Sequence, residues 1–210
     1  MTTIQATFAI TLTLASSVVP LFAQSSSVPS SKANSCASGF VLPAPLDVEK
    51  EFIASGWMGD AEKGKQFLQM LSVAAEKART GDGNSLVTKF RYQAGSIGWA
   101  GVYWQWPANN WGDKPAKQIQ GASKISFWAA GQKGGEIVEF KAGGITGKQC
   151  RDSFEVSLGQ VALTKEWKNY EIPLRRSQSA LAVVGAFAWV ATSDANPGGL
   201  TFYIDSIRYE

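Results

Sequence analysis

The 210-residue chain contains no histidine. This absence excludes a Ser-His-Asp triad, a histidine-ligated zinc and a histidine general base. Only two cysteines are present, and neither Cys36, in a Ser-rich stretch, nor Cys150 has a histidine that could activate it as a nucleophile. No Gly-rich nucleotide-binding motif occurs either. Most of the common catalytic chemistries are therefore excluded.

Glycoside hydrolysis stays open, because it requires only two carboxylates that face one groove. Glu136 and Glu139 are near one another, but residues three apart on a regular strand project to opposite faces. Other carboxylates could pair across strands: Asp60, Asp152, Glu155 and Glu171. A glycoside hydrolase is accordingly the least favoured reading.

Charge is also scarce. The chain has 20 basic and 17 acidic residues, a net charge of +3, and the basic residues are scattered, so a nucleic-acid partner is not expected. The first 24 residues carry no charge at all, and an apolar run over 8–19 is followed by Pro20 and Ala23. This pattern predicts a secretory signal at 1–23, although the usual basic residue before the run is missing. The run is shorter than the roughly 20 apolar residues of a membrane-spanning helix.

The predicted mature protein consists of a Ser-rich flexible linker at 24–39 and one domain at 40–210, which we expect to be secreted, periplasmic or on the cell surface. In an oxidising compartment Cys36 and Cys150 can form a disulfide, with two free thiols as the alternative.

What the chain has in abundance is glycine and tryptophan, with 21 and eight residues. Short runs of β-branched and aromatic residues recur between Gly, Asn, Asp and Pro clusters, which is typical of an all-β sandwich or barrel. The predicted strands are 52–58, 86–93, 100–105, 124–129, 137–142, 156–158, 168–174, 183–191 and 200–209. Residues 61–79 fit either a surface helix or a strand at 67–71, and the β-rich neighbours favour the strand.

Several of these runs carry specific motifs. They are Ser55-Gly56-Trp57-Met58-Gly59-Asp60, Gly98-Trp99-Ala100-Gly101-Val102-Tyr103-Trp104-Gln105, Pro107-Ala108-Asn109-Asn110-Trp111-Gly112, Gly121-Ala122-Ser123-Lys124-Ile125-Ser126-Phe127-Trp128-Ala129, Leu163-Thr164-Lys165-Glu166-Trp167-Lys168-Asn169-Tyr170 and Phe202-Tyr203-Ile204-Asp205-Ser206-Ile207. From about Phe52 onward the series resembles jelly-roll domains of the carbohydrate-binding-module and galactose-binding-like type. The resemblance implies a two-sheet antiparallel jelly-roll β-sandwich.

The resemblance also implies non-catalytic binding of a polysaccharide or glycan. Alternation along 100–106 places Val102, Trp104 and Trp106 on one face and Tyr103 and Gln105 on the other, without indicating which face is buried. An aromatic ring and an amide suit a sugar, which offers C–H groups and hydroxyls. The candidate ligand-binding residues are Trp104, Gln105, Trp106, Asn109 and Trp111. Buried tryptophan in the core and an Asn-Asn turn are the structural alternatives.

In the resembling domains an acidic residue of the last strand often helps to hold a structural calcium ion. Here that residue is Asp205, with Glu51 as its candidate partner and Asp47 and Glu49 as alternatives. A structural or protein-interaction domain at the cell surface, serving a separate surface protein or enzyme, is the alternative to glycan binding.

Overall fold

The computed structural model describes residues 36–73, 79, 87–146, 149–175 and 180–210. The predicted signal sequence and nearly all of the predicted linker lie outside these residues. The elements are β1 (Ala37–Pro43), β2 (Leu46–Asp47), α1 (Val48–Glu51), β3 (Ile53–Gly59), β4 (Leu68–Val73), β5 (Val87–Tyr92), β6 (Trp99–Gln105), β7 (Ala116–Gln120), β8 (Lys124–Gly131), β9 (Ile137–Gly143), β10 (Glu155–Ala162), β11 (Lys168–Pro173), β12 (Ala180–Val183), β13 (Gly185–Thr192) and β14 (Leu200–Tyr209). A 3₁₀ turn spans Asp60–Lys63.

Two antiparallel sheets form the body of the domain. The five-stranded sheet has the order β10-β9-β13-β6-β3, and the six-stranded sheet has the order β11-β8-β14-β5-β4, with β2 paired to the end of β14. The chain repeatedly crosses from one sheet to the other, at β3–β4, β5–β6, β8–β9, β10–β11 and β13–β14. This topology confirms the predicted all-β jelly-roll sandwich.

Aromatic side chains from both sheets fill the space between them. Phe90 of the six-stranded sheet lies 5.0 Å, ring to ring, from Trp189 of the five-stranded sheet. Phe127 likewise meets Phe140 at 4.6 Å and Phe187 at 4.9 Å. All five are buried, and burying one such side chain stabilises the fold by about 1.5–3 kcal/mol. The apolar side chains recur at every second residue of these strands, so they line the face of each sheet that points into the core.

A third, smaller sheet was not predicted. It has the order β1-β7-β12, and β1 runs parallel to β7. A disulfide joins Cys36 to Cys150, with their Cα atoms 5.1 Å apart, so the first of the two sequence alternatives is the one formed. Because β1 begins at Ala37, the last residues assigned to the flexible linker belong to this sheet instead.

The segment for which helix and strand were both considered contains the 3₁₀ turn followed by β4, so the preference for a strand is confirmed. Residues 74–78 of that segment lie outside the described part of the chain. No helix among the described residues is long and apolar enough to cross a membrane.

Candidate functional site

Trp104 belongs to the core, which corrects its prediction as a ligand contact. Its ring packs edge-on against Phe90 at 5.9 Å and Phe187 at 5.5 Å, and only 3% of the residue is exposed. Alternation therefore turns Trp104 and Val102 inward and turns Gly101, Tyr103 and Gln105 toward the outside of the five-stranded sheet.

Gln105 faces outward from its sheet but is nevertheless completely buried, so it too is corrected. Its Oε1 accepts a hydrogen bond of 3.3 Å from Ser55 Oγ, and its Nε2 has no partner among the described residues. A Cβ at Gly56 would lie 2.8 Å from the Gln105 amide carbon. The absence of a side chain at Gly56 therefore lets β3 close over the amide, and a ligand cannot reach it in this conformation.

Trp106 lies just beyond the end of β6 and is half-buried. Phe40 packs edge-on against it at 5.6 Å, and the Lys117 ammonium lies 5.0 Å from its ring centroid. Phe40 is 57% exposed, so an aromatic pair reaches the surface beside the third sheet. Trp106 packs against the main core, whereas Tyr103 and Trp111 belong to a smaller, separate cluster.

The loop that follows is organised by Asn110. The Asn110 amide donates to the carbonyls of Trp106 and Lys114 at 2.9 and 3.1 Å, and its oxygen accepts from the backbone of Gly112 and Lys114 at 3.0 and 3.1 Å. Asn109 is exposed and has a φ of 59°, a left-handed conformation that asparagine tolerates well. Its backbone N–H donates to Ser55 Oγ at 2.9 Å. These bonds fix the loop that presents Trp111.

Trp111 is half-buried and packs edge-on against Tyr103, with ring centroids 5.9 Å apart. The hydroxyl of Tyr103 donates to the Gly143 carbonyl at 2.8 Å. Burial raises the Tyr103 pKa, with further contributions from nearby carboxylates, so the phenol stays neutral. Tyr103 and Trp111 thus form a rigid aromatic corner on the outward side of the five-stranded sheet.

From this corner, rows of side chains cross the sheet. One row runs from Met58 past Gly101 and Val190 to Glu139 and Gln160, as the strand registers require. Met58 is half-buried and packs in the same small cluster as Trp111. The row is therefore apolar at the β3 end and polar at the β10 end.

The neighbouring row runs from Tyr103 through Ala188 to Lys141 and Ser157. The Lys141 ammonium lies 3.7 Å from Glu155, and Ser157 Oγ donates to Glu139 at 2.8 Å. The row that begins at Tyr103 therefore ends in charged and hydroxyl side chains on β9 and β10.

Trp99 begins β6 and faces outward, paired with Thr192. It lies four residues before Tyr103, about 13 Å along the strand. It is half-exposed, and Gly59 packs closely against it, since a Cβ there would lie 2.9 Å from the indole. We define the outer face by the outward side chains of this region: Met58, Trp99, Tyr103, Trp111, Glu139, Lys141 and Gln160.

Asp60 supports the start of β6. Its buried carboxylate accepts from the Tyr92 hydroxyl at 3.0 Å and from the backbone N–H groups of Gly95, Ile97 and Gly98 at 2.8, 2.9 and 3.1 Å. Burial by itself raises the Asp60 pKa, but the hydrogen bonds outweigh it and hold the pKa below its ordinary value. The carboxylate thus shapes the loop that leads directly to Trp99.

Three of the acidic residues considered for calcium lie near one another, since burial and then the charges of Asp47 and Asp205 raise the Glu49 pKa from 4.5 to about 7. Asp205 is paired with Arg79 at 3.1 Å, and Glu51 is paired with Lys117 at 2.8 Å. Asp47 caps α1 through the Glu49 N–H and lies 3.2 Å from Lys50. Among the described residues no group of three or more Asp, Glu, Cys or His side chains could hold a metal ion. Asp205 and its expected partner Glu51 are thus each paired with a different cation, and calcium binding stays a prediction.

Trp111 is the one outer-face residue among the ligand-binding residues predicted from the sequence, and the other outer-face residues were not predicted. Glu139 and Lys141 are readable in principle, because they alternate with the buried Val138, Phe140 and Ala142 on β9. Their position opposite Trp111 depends on strand order, for which the sequence contains no local signal.

No protein-family model matches the chain, and no curated protein matches it by sequence. Its fold is similar to solved carbohydrate-binding modules. One is a family 30 module, at 16% identity and a TM-score of 0.43, covering 74% of this chain and 81% of the other. Another is the family 30 module of a cellulosomal cellulase of Clostridium thermocellum, at 14% identity, a TM-score of 0.40 and coverages of 69% and 82%.

A third is a family 61 module in complex with β-1,4-galactotriose, at 17% identity, a TM-score of 0.38 and coverages of 77% and 93%. At such low identity, the function of this chain has to be argued from its own residues.

Proposed function

We propose that this chain is an exported, non-catalytic module that binds a polysaccharide or glycan on the outer face. The observation that carries the proposal is the outward placement of two half-exposed indoles, Trp99 and Trp111, on the same side of the five-stranded sheet as the polar side chains of Glu139, Lys141 and Gln160. Aromatic rings accept the C–H faces of sugars, while carboxylate, ammonium and amide groups bind hydroxyls. Ligand sites commonly combine apolar walls with a few such polar groups.

The two indoles are held in fixed positions. Asn110 anchors the loop around Trp111 and Asp60 anchors the loop before Trp99. The β6 strand separates Trp99 from Tyr103 by about 13 Å, which is the scale of a short oligosaccharide rather than of one sugar ring. A preformed surface loses little conformational entropy on binding, so even shallow contacts give measurable affinity.

The Cys36–Cys150 disulfide supports export, because such bonds persist in oxidising compartments. The contacts of the carboxylates support a non-catalytic role. Asp60 and Asp152 accept backbone hydrogen bonds, and Glu171 lies 2.6 Å from the Lys124 ammonium. Glu136 likewise accepts two backbone hydrogen bonds from its own turn.

Affinity electrophoresis in native gels tests the proposal. The full chain is run through gels that contain hydroxyethylcellulose, xylan or β-1,4-galactan, beside Trp99→Ala and Trp111→Ala. Trp128→Ala is the matched control, since Trp128 is also half-buried but lies on the six-stranded sheet. We expect at least one polysaccharide to retard the wild type and the control, and each outer-face variant to migrate faster.

Two outcomes would contradict the proposal. If no polysaccharide retards the wild type, the module does not bind these glycans. If Trp99→Ala and Trp111→Ala are retarded as strongly as the wild type, the outer face is not the site. Release of reducing sugar from a retarding polysaccharide, abolished by Glu139→Gln, would instead indicate a hydrolase.

A further inference from the structure

A second surface, which shares no residue with the outer face, lies between two loops that connect the sheets. A groove of about 570 Å³ runs between the turn at 132–136 and the loop at 195–199. Residues of β5 and the beginning of β14 line its floor. The groove is polar, and its lining combines backbone, amide side chains and three cations.

Both walls of the groove are fixed by buried side chains. Glu136 accepts from the backbone N–H groups of Lys133 and Gly134 at 2.8 and 2.9 Å, which closes the turn on itself. Asn196 accepts from the Ile137 N–H at 2.9 Å and donates to the Ile137 carbonyl at 2.9 Å, which ties the opposite loop to β9. Neither wall has to be ordered when a ligand enters.

The cations are Lys89, Arg91 and Lys133. Lys89 and Arg91 lie two residues apart on one face of β5, about 7 Å along the strand. Lys89 lies 5.7 Å from the Tyr203 ring centroid, while Arg91 and Lys133 are exposed and form no ion pair within the described residues. The one acidic lining residue, Glu136, is 9% exposed and already bound by two N–H groups.

We propose that this groove binds the carboxylate or sulfate groups of an acidic polysaccharide. Arginine and lysine form charge-assisted hydrogen bonds with such anions, and the spacing along β5 allows two successive charged groups to be bound at once. The amides of Gln93 and Gln132, also in the lining, are suited to the hydroxyls between them. This site is separate from the outer face and extends the proposed function to acidic glycans.

A nucleic acid is the less suitable anion. Single-strand binding depends on exposed aromatic rings on which bases stack, and the one aromatic residue lining the groove, Tyr92, is 1% exposed. The hydroxyl of Tyr92 is moreover bound to Asp60.

The test measures dissociation constants of the full chain for polygalacturonate and for chondroitin sulfate, at low and physiological salt. The variant Arg91→Gln/Lys133→Gln removes two exposed cations from the groove. Lys114→Gln/Arg175→Gln is the matched control, with one exposed lysine and one exposed arginine that do not line it. We expect salt-sensitive binding of at least one polyanion, weakened about tenfold or more by the groove variant and less than twofold by the control.

Binding to polygalacturonate alone would assign carboxylates, and binding to chondroitin sulfate alone would assign sulfate groups; both support the proposal. It is overturned if neither polyanion binds, or if both double variants weaken binding equally. Tighter binding of single-stranded DNA, with the same loss in the groove variant, would also overturn it. Trp111→Ala separates the two sites: it is expected to abolish retardation by a neutral polysaccharide and to leave polyanion binding unchanged.

Discussion

Asp152 makes the stability of the domain dependent on pH near neutrality. Its buried carboxylate accepts from the Val184 and Gly185 N–H groups at 2.5 and 3.1 Å and from the Ile145 N–H at 2.9 Å. It thereby closes the small core below Tyr103 and Trp111. Burial is the largest influence and raises the Asp152 pKa from 3.8 to about 6, although the three hydrogen bonds oppose it.

The direction of this pH dependence follows because the Asp152 pKa is higher in the folded protein than in the unfolded chain. The folded protein then binds the proton more readily than the unfolded chain, so protonation of Asp152 stabilises the fold as the pH falls through about 6. The stabilisation is lost as the pH rises above that value. The full difference between the folded-state and unfolded-state pKa of Asp152 corresponds to about 3 kcal/mol in the free energy of unfolding. About 1.4 kcal/mol of this is gained when the pH falls from 8 to 5.

Urea unfolding followed by tryptophan fluorescence at pH 5, 6.5 and 8 measures this contribution. Asp152→Asn removes the titrating group, although it weakens one of the backbone contacts and is expected to be less stable than the wild type at every pH. The free energy of unfolding of the wild type should gain about 1.4 kcal/mol more than that of the variant between pH 8 and pH 5. Parallel pH dependences of the two proteins would refute the reasoning.

Three further perturbations test the fold. Asp60→Ala leaves four donors without their acceptor and should lower the free energy of urea unfolding by about 4 kcal/mol. Tyr92→Phe removes only one of these hydrogen bonds and should lower it by about 1 kcal/mol. Equal losses in the two variants would contradict the role of the carboxylate. Replacing Cys36 and Cys150 by alanine opens a loop with a sequence separation of 114 and should lower the free energy of unfolding by up to about 5 kcal/mol. A loss below about 1 kcal/mol would show that the disulfide hardly constrains the unfolded chain. Phe187→Ala removes a ring that contacts Trp104, Phe127 and Phe140 and should cost about 3–5 kcal/mol in thermal unfolding, with a negligible change in melting temperature as the contrary result.

Much of the sandwich was predictable because its strands alternate clearly. The strands of Phe127 and Phe202 place buried apolar residues at alternate positions, Ile125, Phe127 and Ala129 in one and Leu200, Phe202 and Ile204 in the other, and both strands lie within a residue or two of the predicted bounds. The strands β1 and β7 were missed because they are rich in polar or small residues and pair in parallel across a long stretch of sequence. The Cys36–Cys150 disulfide lies next to this pairing, and the sequence left open whether the bond forms.

The candidate site was harder to predict for a related reason. Alternation separated Trp104 from Tyr103 and Gln105 correctly, but a residue that faces away from one core can be buried in another. Tyr103 is covered by Ile145 and Trp111, and Gln105 by β3. These covering contacts come from distant parts of the chain, so strand periodicity contains no information about them.

A glycan bound to the outer face must contact the indoles of Trp99 and Trp111. Nuclear magnetic resonance of the indole N–H groups, during titration with cellohexaose, xylohexaose and β-1,4-galactotriose, detects this contact. We expect at least one of these oligosaccharides to shift the signals of Trp99 and Trp111 while the signals of Trp128 and the buried Trp189 stay in place. Saturating shifts confined to Trp128 or Trp106, or no indole shift with any of the three, would contradict it.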